Sequence, residues 1–233
     1  MKSATASVAR KLPAEERRAA IVKAVRQVFA EKGFDGTTTR ELAVAAGVSE
    51  ALLFKHFPNK EALYSAMQLA CCNSNDDQIE RLKALEPSAS TLALLVHVFV
   101  SKVLAARAPD DERSIHCRLM LRSVLGAGEF ARMFMQGLPT HLNRWMQACL
   151  EVAIADGDAH DGPIAPDLAA WFAHHLTMMI SIYTLPAERV MDYGVPQPAI
   201  IEQVVWFALR GLGMKEEAIR RYYNPRALAL LEG

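Results

Sequence analysis

Residues 47–63 read GVSEALLFKHFPNKEAL. Between Gly47 and Pro58 there is room for about two turns of helix at 3.6 residues per turn. A helix that short is not stable alone. It carries Leu52, Leu53, Phe54 and Phe57, yet also Glu50, Lys55 and His56. Such a mixture suits a helix that docks one side on its neighbours and leaves the other side free.

The flanking sequence supplies the neighbours. Pro13 with Glu15 and Glu16 opens a helix predicted over 15–33. Ile21, Val25, Val28 and Phe29 fall on one face of it, and Gly33 ends it as a C-cap. Thr38 and Glu41 have capping-box spacing, so a second helix starts there, with Leu42, Ala43 and Ala46 turned inward. Gly47 supplies the positive φ that a tight turn needs. Ser49 then caps the short helix, and Asn59 caps a longer one expected from Lys60 to Leu85. Two short helices joined by AAGVS (residues 45–49) have the shape of a helix-turn-helix. The first helix is expected to cross both, burying Phe29 against Leu42, Leu53 and Phe57. Glu50, Ala51, Lys55 and His56 are left to enter a major groove.

Charge distribution agrees with that reading. The 233-residue chain has zero net charge. Residues 1–60 hold 11 Lys/Arg and 6 Asp/Glu, a net of +5, and the remainder carries −5. A basic head on an acidic body suits an anionic partner for the head. Apolar residues make up 52% of the chain, enough for a sizeable core. No apolar run approaches the ~18 residues of a membrane span. The start lacks the apolar stretch of a secretory signal. Cys71, Cys72, Cys117 and Cys149 form no CxxC pair, and a reduced cytoplasmic compartment is expected.

Beyond residue 86, helical periodicity predicts helices at 89–107, 111–126, 129–155, 167–185, 197–212 and 215–222. The breaks between them are rich in Gly, Pro and Asp. No alternating β-branched run or Asn-Gly hairpin turn suggests a sheet. The expected class is all-α: a disordered tail over 1–14, a helix-turn-helix domain over 15–62, and a larger helical domain over 63–233. Phe99, Met120, Phe134, Met135, Trp145 and Met178 are candidates to line an apolar cavity in the body. Arg118 and Arg122, one helical turn apart, are candidates to hold an anionic group. The pairs His174-His175, His116-Cys117 and Cys71-Cys72 do not suit a metal, because adjacent helical residues point about 100° apart. No cofactor is expected, and no nucleophile elbow, P-loop or dinucleotide fingerprint points to an enzyme.

The order of residues resembles the TetR family of transcriptional regulators. The resemblance runs from Arg18 to Leu63. It rests on Leu42-Ala43, Ala46-Gly47-Val48-Ser49, Leu53-Phe54-Lys55-His56-Phe57 and Lys60-Glu61-Ala62-Leu63. It implies a TetR-like fold and a dimeric regulator, most simply a repressor released from a palindromic operator by a small apolar or amphipathic effector. Double-stranded DNA and a second copy of the chain are the implied partners. An alternative keeps the same fold without a small ligand, controlled by a protein partner or organising DNA. The family further implies that Thr38 and Thr39 contact phosphate and that Arg40 reaches a guanine or a phosphate. Glu50, Ala51, Leu52 and Lys55 would face bases, His56 and Lys60 would hold the backbone, and Ser49 belongs to the same surface. The family usually has Tyr at the position of Phe54, and Phe lacks the hydroxyl that donates to phosphate. The 167–185 helix is apolar almost all round, so it needs cover on two sides. A four-helix dimer interface is implied, with Trp171, His175, Met179, Ile182, Val205 and Leu209 as its candidates.

Overall fold

A computed structural model describes residues 13–72, 81–82, 84–105, 111–186 and 188–229. The expected disordered tail lies outside them except for Pro13 and Ala14. Among the described residues there is no strand, only an isolated bridge between Ala159 and Met214. The chain divides into two compact units, one ending at Asn73 and the other starting at Ser74.

The first unit contains α1 (Ala14–Lys32), α2 (Thr39–Ala45), α3 (Glu50–His56) and α4 (Lys60–Cys72). Gly33, at φ 74°, ends α1 and donates its N–H to the Phe29 carbonyl. Thr38 and Glu41 form the capping box at the start of α2. Ser49 accepts from the Leu52 N–H and starts α3. Asn59 Oδ1 accepts from the Ala62 N–H at 2.7 Å at the start of α4. The core of this unit is Ile21, Val22, Val25, Phe29, Leu42, Ala43, Leu53, Phe57, Leu63 and Met67. Val22 takes the inward place expected of Val28, which is half-buried. Phe29 meets the rings of Phe34 and Tyr64, at 6.5 and 4.9 Å. Leu63 and Met67 fix α4 in this core, so the boundary expected at residues 62–63 falls inside a helix of the first unit. The expected helix to Leu85 is described to Cys72, and residues 73–80 lie outside the described chain.

The second unit contains α5 (Ala89–Leu104), α6 (Glu112–Leu125), α7 (Glu129–Met135), α8 (Leu138–Ala155), α9 (Pro166–Tyr183), α10 (Gln197–Gly211), α11 (Glu216–Tyr222) and α12 (Pro225–Ala229). The last of these was not expected. The single helix expected over 129–155 is two, α7 and α8. Gly137 leaves helical geometry at φ −88°, ψ −128°, and Pro139 follows in the first turn of α8. Proline has no N–H for the preceding turn and clashes with its carbonyl, so it favours a fresh start there.

Helix α5 is buried nearly all round, with Leu92, Ala93, Val96 and Val100 at its centre. α8, α9, α10, α11 and α12 pack against it or against each other. The turn after α10 is joined to the connection after α8: His160 N–H donates to the Gly213 carbonyl and Lys215 N–H to the Asp158 carbonyl. No helix of the described chain is long and apolar enough to cross a membrane.

Candidate functional site

The turn between α2 and α3 sets the geometry of the head. Gly47 sits at φ 63°. Its N–H donates to the Val44 carbonyl, and the Val48 N–H donates to the Ala43 carbonyl. This bond pair closes α2 as a Schellman motif, which satisfies two end carbonyls and turns the chain sharply. α3 then docks through Leu53 and Phe57, both buried. The guanidinium of Arg18 lies 4.1 Å from the centre of the Phe57 ring and donates to the His56 carbonyl at 2.5 Å. This ties the end of α3 to α1.

The docked side and the free side of α3 are distinct. Glu50, Ala51, Phe54 and Lys55 are exposed, Leu52 and His56 half-buried, and Leu53 buried. Arg40 is exposed on α2, and Ser49 is exposed at the start of α3. Among the described residues neither Arg40 nor Lys55 makes an ion pair, so both charges face solvent.

Three residues expected on the phosphate backbone are engaged within the head. Thr38 accepts from the Glu41 N–H at 3.3 Å, and its hydroxyl donates to Glu41 Oε2 at 2.9 Å. Its backbone N–H reaches the same carboxylate at 2.9 Å. The Thr39 hydroxyl donates to Glu50 Oε2 at 2.9 Å. The Lys60 ammonium donates to the carbonyls of Phe34 and Thr37, at 2.9 and 3.0 Å, and sits 4.2 Å from the Phe34 ring centre. Lys60 therefore ties the α1–α2 loop to the start of α4. A cation shared between two loop carbonyls serves the fold.

Glu41 is held well below the usual carboxylate range, at about 2. The Lys32 ammonium bonded to it is the largest cause, followed by the Thr38 N–H and hydroxyl. Lys32 Nζ lies 2.5 Å from Glu41 Oε1.

In the second unit, the candidate interface residues separate. On α9, Met179 is 51% exposed, His175 is exposed, and Trp171 and Ile182 are half-buried. Leu168, Phe172 and Tyr183 extend the same exposed stripe at helical spacing. The Trp171 and His175 rings stack at 5.9 Å. On α10 the expectation is corrected. Val205 and Leu209 are fully buried in their own core, facing α5. The exposed side of α10 carries Phe207, at 67%, with Glu202, Gln203 and Arg210 among others. With Ala199 and Trp206 they line a surface groove.

The cavity candidates differ in their surroundings. Phe99 and Trp145 are half-buried against the core, and Met178 is half-buried. Phe134 lies 4.5 Å from His116, ring to ring. Arg118 donates to the Leu185 carbonyl at 3.2 Å, while Arg122 is exposed near the end of α6. The two arginines thus do not converge on one buried spot. Sequence reasoning missed two polar atoms nearby. His174 Nδ1 and Asn143 Oδ1 are buried, and among the described residues neither has a hydrogen-bond partner. His174 stacks on Phe99 at 5.2 Å, and burial followed by the nearby His175 pushes its pKa down to about 4.

Residues 21–67 match the family described as bacterial regulatory proteins, tetR family. The chain is 45% identical over 175 residues to YvkB of Bacillus subtilis, an uncharacterised HTH-type transcriptional regulator, covering 75% of this chain and 90% of that one. It is 32% identical over 107 residues to ArpR of Pseudomonas putida, a probable HTH-type regulator, where the match spans 44% of this chain and half of that one. Among solved structures, AibR in complex with isovaleryl coenzyme A and operator DNA superposes with a TM-score of 0.63 at 18% identity, over 82% of this chain and 97% of that one.

Proposed function

From a chain that belongs to the tetR family of bacterial regulatory proteins, we propose a dimeric regulator that acts as a repressor, leaving a palindromic operator when a small effector binds. The observation that carries this reading is the free side of the head. Arg40, Glu50, Ala51 and Lys55 are exposed together on two short helices whose opposite side is fixed by Leu42, Leu53 and Phe57. Side chains so placed fit a major groove. Arg40 and Lys55 supply uncompensated positive charge for phosphate or guanine.

The dimer reading is supported by the stripe of Leu168, Phe172, Met179 and Tyr183 with Phe207, all exposed on one chain. An apolar stripe of this kind suits a second copy, and two-fold pairing suits a palindrome. The effector reading is supported by half-buried Phe99, Trp145 and Met178, and by His174 Nδ1 and Asn143 Oδ1, buried atoms that have no partner among the described residues. These would take a small, largely apolar molecule with a polar group. Such a regulator acts in the cytoplasm, where the DNA is.

The test is binding of the full chain to duplexes selected from a random pool. Two protomers should occupy each palindrome. Affinity should fall by about 10³ or more between 50 and 200 mM salt if six or more phosphates are contacted, because counterions are released. Salt-independent binding, or selection of no sequence, would overturn the reading.

A further inference from the structure

We propose that Glu50, positioned by Thr39, selects a C·G base pair in each half of the operator. This rests on the reading of the α2–α3 pair as a DNA reader. Glu50 is the first residue of α3 and is exposed. Thr39 is the first residue of α2, and its hydroxyl donates to Glu50 Oε2 at 2.9 Å. The bond crosses from one helix to the other, so it orients the carboxylate relative to both. Among the described residues the bond from Thr39 is the one side-chain hydrogen bond that Glu50 makes: Ser49 caps α3 through the Leu52 N–H, and no cation pairs with Glu50. Ala51, beside it, adds no bulk to hold the helix start away from base edges.

An ionised carboxylate has about four acceptor sites and no donor. Thr39 occupies one, and Oε1 keeps its own. In the major groove, guanine offers N7 and O6 and thymine offers O4, all acceptors that repel a carboxylate. Adenine offers an amine, but beside the N7 acceptor. Cytosine alone presents its N4 amine with no acceptor next to it on that edge. An acceptor-only group therefore rejects guanine and thymine, meets adenine's amine only beside a repelling N7, and is satisfied by cytosine, which is specificity achieved largely by repulsion. Glutamine at the same place would carry a donor as well as an acceptor and would match N6 and N7 of adenine. Thr39 is a positioning residue here: it touches no base and acts through Glu50.

The experiment selects sites for the full chain from a pool of randomised duplexes, then repeats the selection with Glu50→Gln, Thr39→Val and Thr39→Ser. Thermal melting establishes that each variant is folded, as expected for exposed or near-isosteric changes. The wild-type chain should enrich cytosine at one position of each half-site, and thymine there should weaken binding about tenfold. Glu50→Gln should move that one preference to adenine and leave the others as they were. Thr39→Val should keep cytosine but narrow the ratio to about threefold, and Thr39→Ser should restore it. If Glu50→Gln selects the wild-type sequence at every position, Glu50 reads no base and the inference fails. If Thr39→Val and wild type discriminate equally, the positioning role fails. If the wild-type chain enriches no sequence, the DNA-reader reading itself fails, before any variant is compared.

Discussion

A hydroxyl at the tip of Phe54 has solvent to point into. The residue is 42% exposed although its neighbour Leu53 is buried in the core of the head. Phe54→Tyr should fold as the parent does. It should tighten binding by roughly 0.5–1.5 kcal/mol, the net worth of one hydrogen bond. Titration should give equal gains on operator and random duplex, since phosphate carries no sequence. Two other residues contribute to the response to acid, in different units. Glu41 is lowered to about 2 by its capping-box partners and Lys32. An unfolded Glu takes its proton near 4.5, so the contribution of Glu41 is complete above that and is lost as pH falls towards 2. Glu41→Gln should abolish that part of the acid sensitivity in melts of the head between pH 5 and 2.5. His174 is lowered from 6.5 to about 4 by burial. The unfolded chain then binds the extra proton, so stability is complete above 6.5 and lost as pH falls through 4, on the order of 2–3 kcal/mol. Denaturant titrations of His174→Leu should show a flatter pH profile over that window. Neither acid response was legible in full: the capping-box spacing of Thr38 and Glu41 was, but the approach of Lys32 to Glu41 and the burial of His174 depend on neighbours that only the fold brings within reach.

At the scale of elements, the caps and turns were the most legible features because each is local. Thr38, Ser49, Asn59 and Gly33 all mark helix ends at the expected places. Two glycines repeat one closing turn with different surroundings. Gly47 follows α2 at φ 63°, and a Cβ there meets nothing within 4 Å. Gly213 follows α10 at φ 92°, and a Cβ there comes within 3.1 Å of the His160 carbonyl oxygen. Gly47→Ala should cost about 1–2 kcal/mol, the penalty of left-handed backbone alone. Gly213→Ala should cost more, because the His160–Gly213 link must also shift. Calorimetry should place the first loss in the head transition and the second in the body. The break at Gly137 is marked locally by Gly137 and Pro139, but apolar periodicity runs on through them and outweighed that signal. The inward face of α10 was hidden for a related reason: Val204, Val205, Trp206, Phe207, Ala208 and Leu209 are all apolar, so periodicity has no polar side to read against. Burial of Val205 and Leu209 was decided by α5, a partner far away in sequence.

For the whole molecule, that correction changes what a charge on α10 should do. Phe207→Glu, or Met179→Glu on α9, places the charge on an exposed face and should give a monomer with near-parent stability and no operator binding. Light scattering after gel filtration measures the first, and binding assays the second. Val205→Glu buries an unpaired charge inside one chain and should cost several kcal/mol, collapsing the body whatever its oligomeric state. A Phe207→Glu variant that stayed dimeric would place the interface elsewhere. The all-helical architecture and the head were legible at once, since both follow from local spacing. The body's surfaces were not, since they depend on which of many apolar helices faces which. The head has one more consequence. On α3, Leu53 and Phe57 carry the apolar docking, while Ala51 and Lys55 carry none of it and Glu50 adds one exposed hydrogen bond from Thr39. A duplicated gene can therefore drift at those three codons and acquire a new set of target promoters without passing through a misfolded ancestor. Divergence of regulatory circuits then needs only a few neutral-to-folding mutations, each visible to selection through the DNA it chooses.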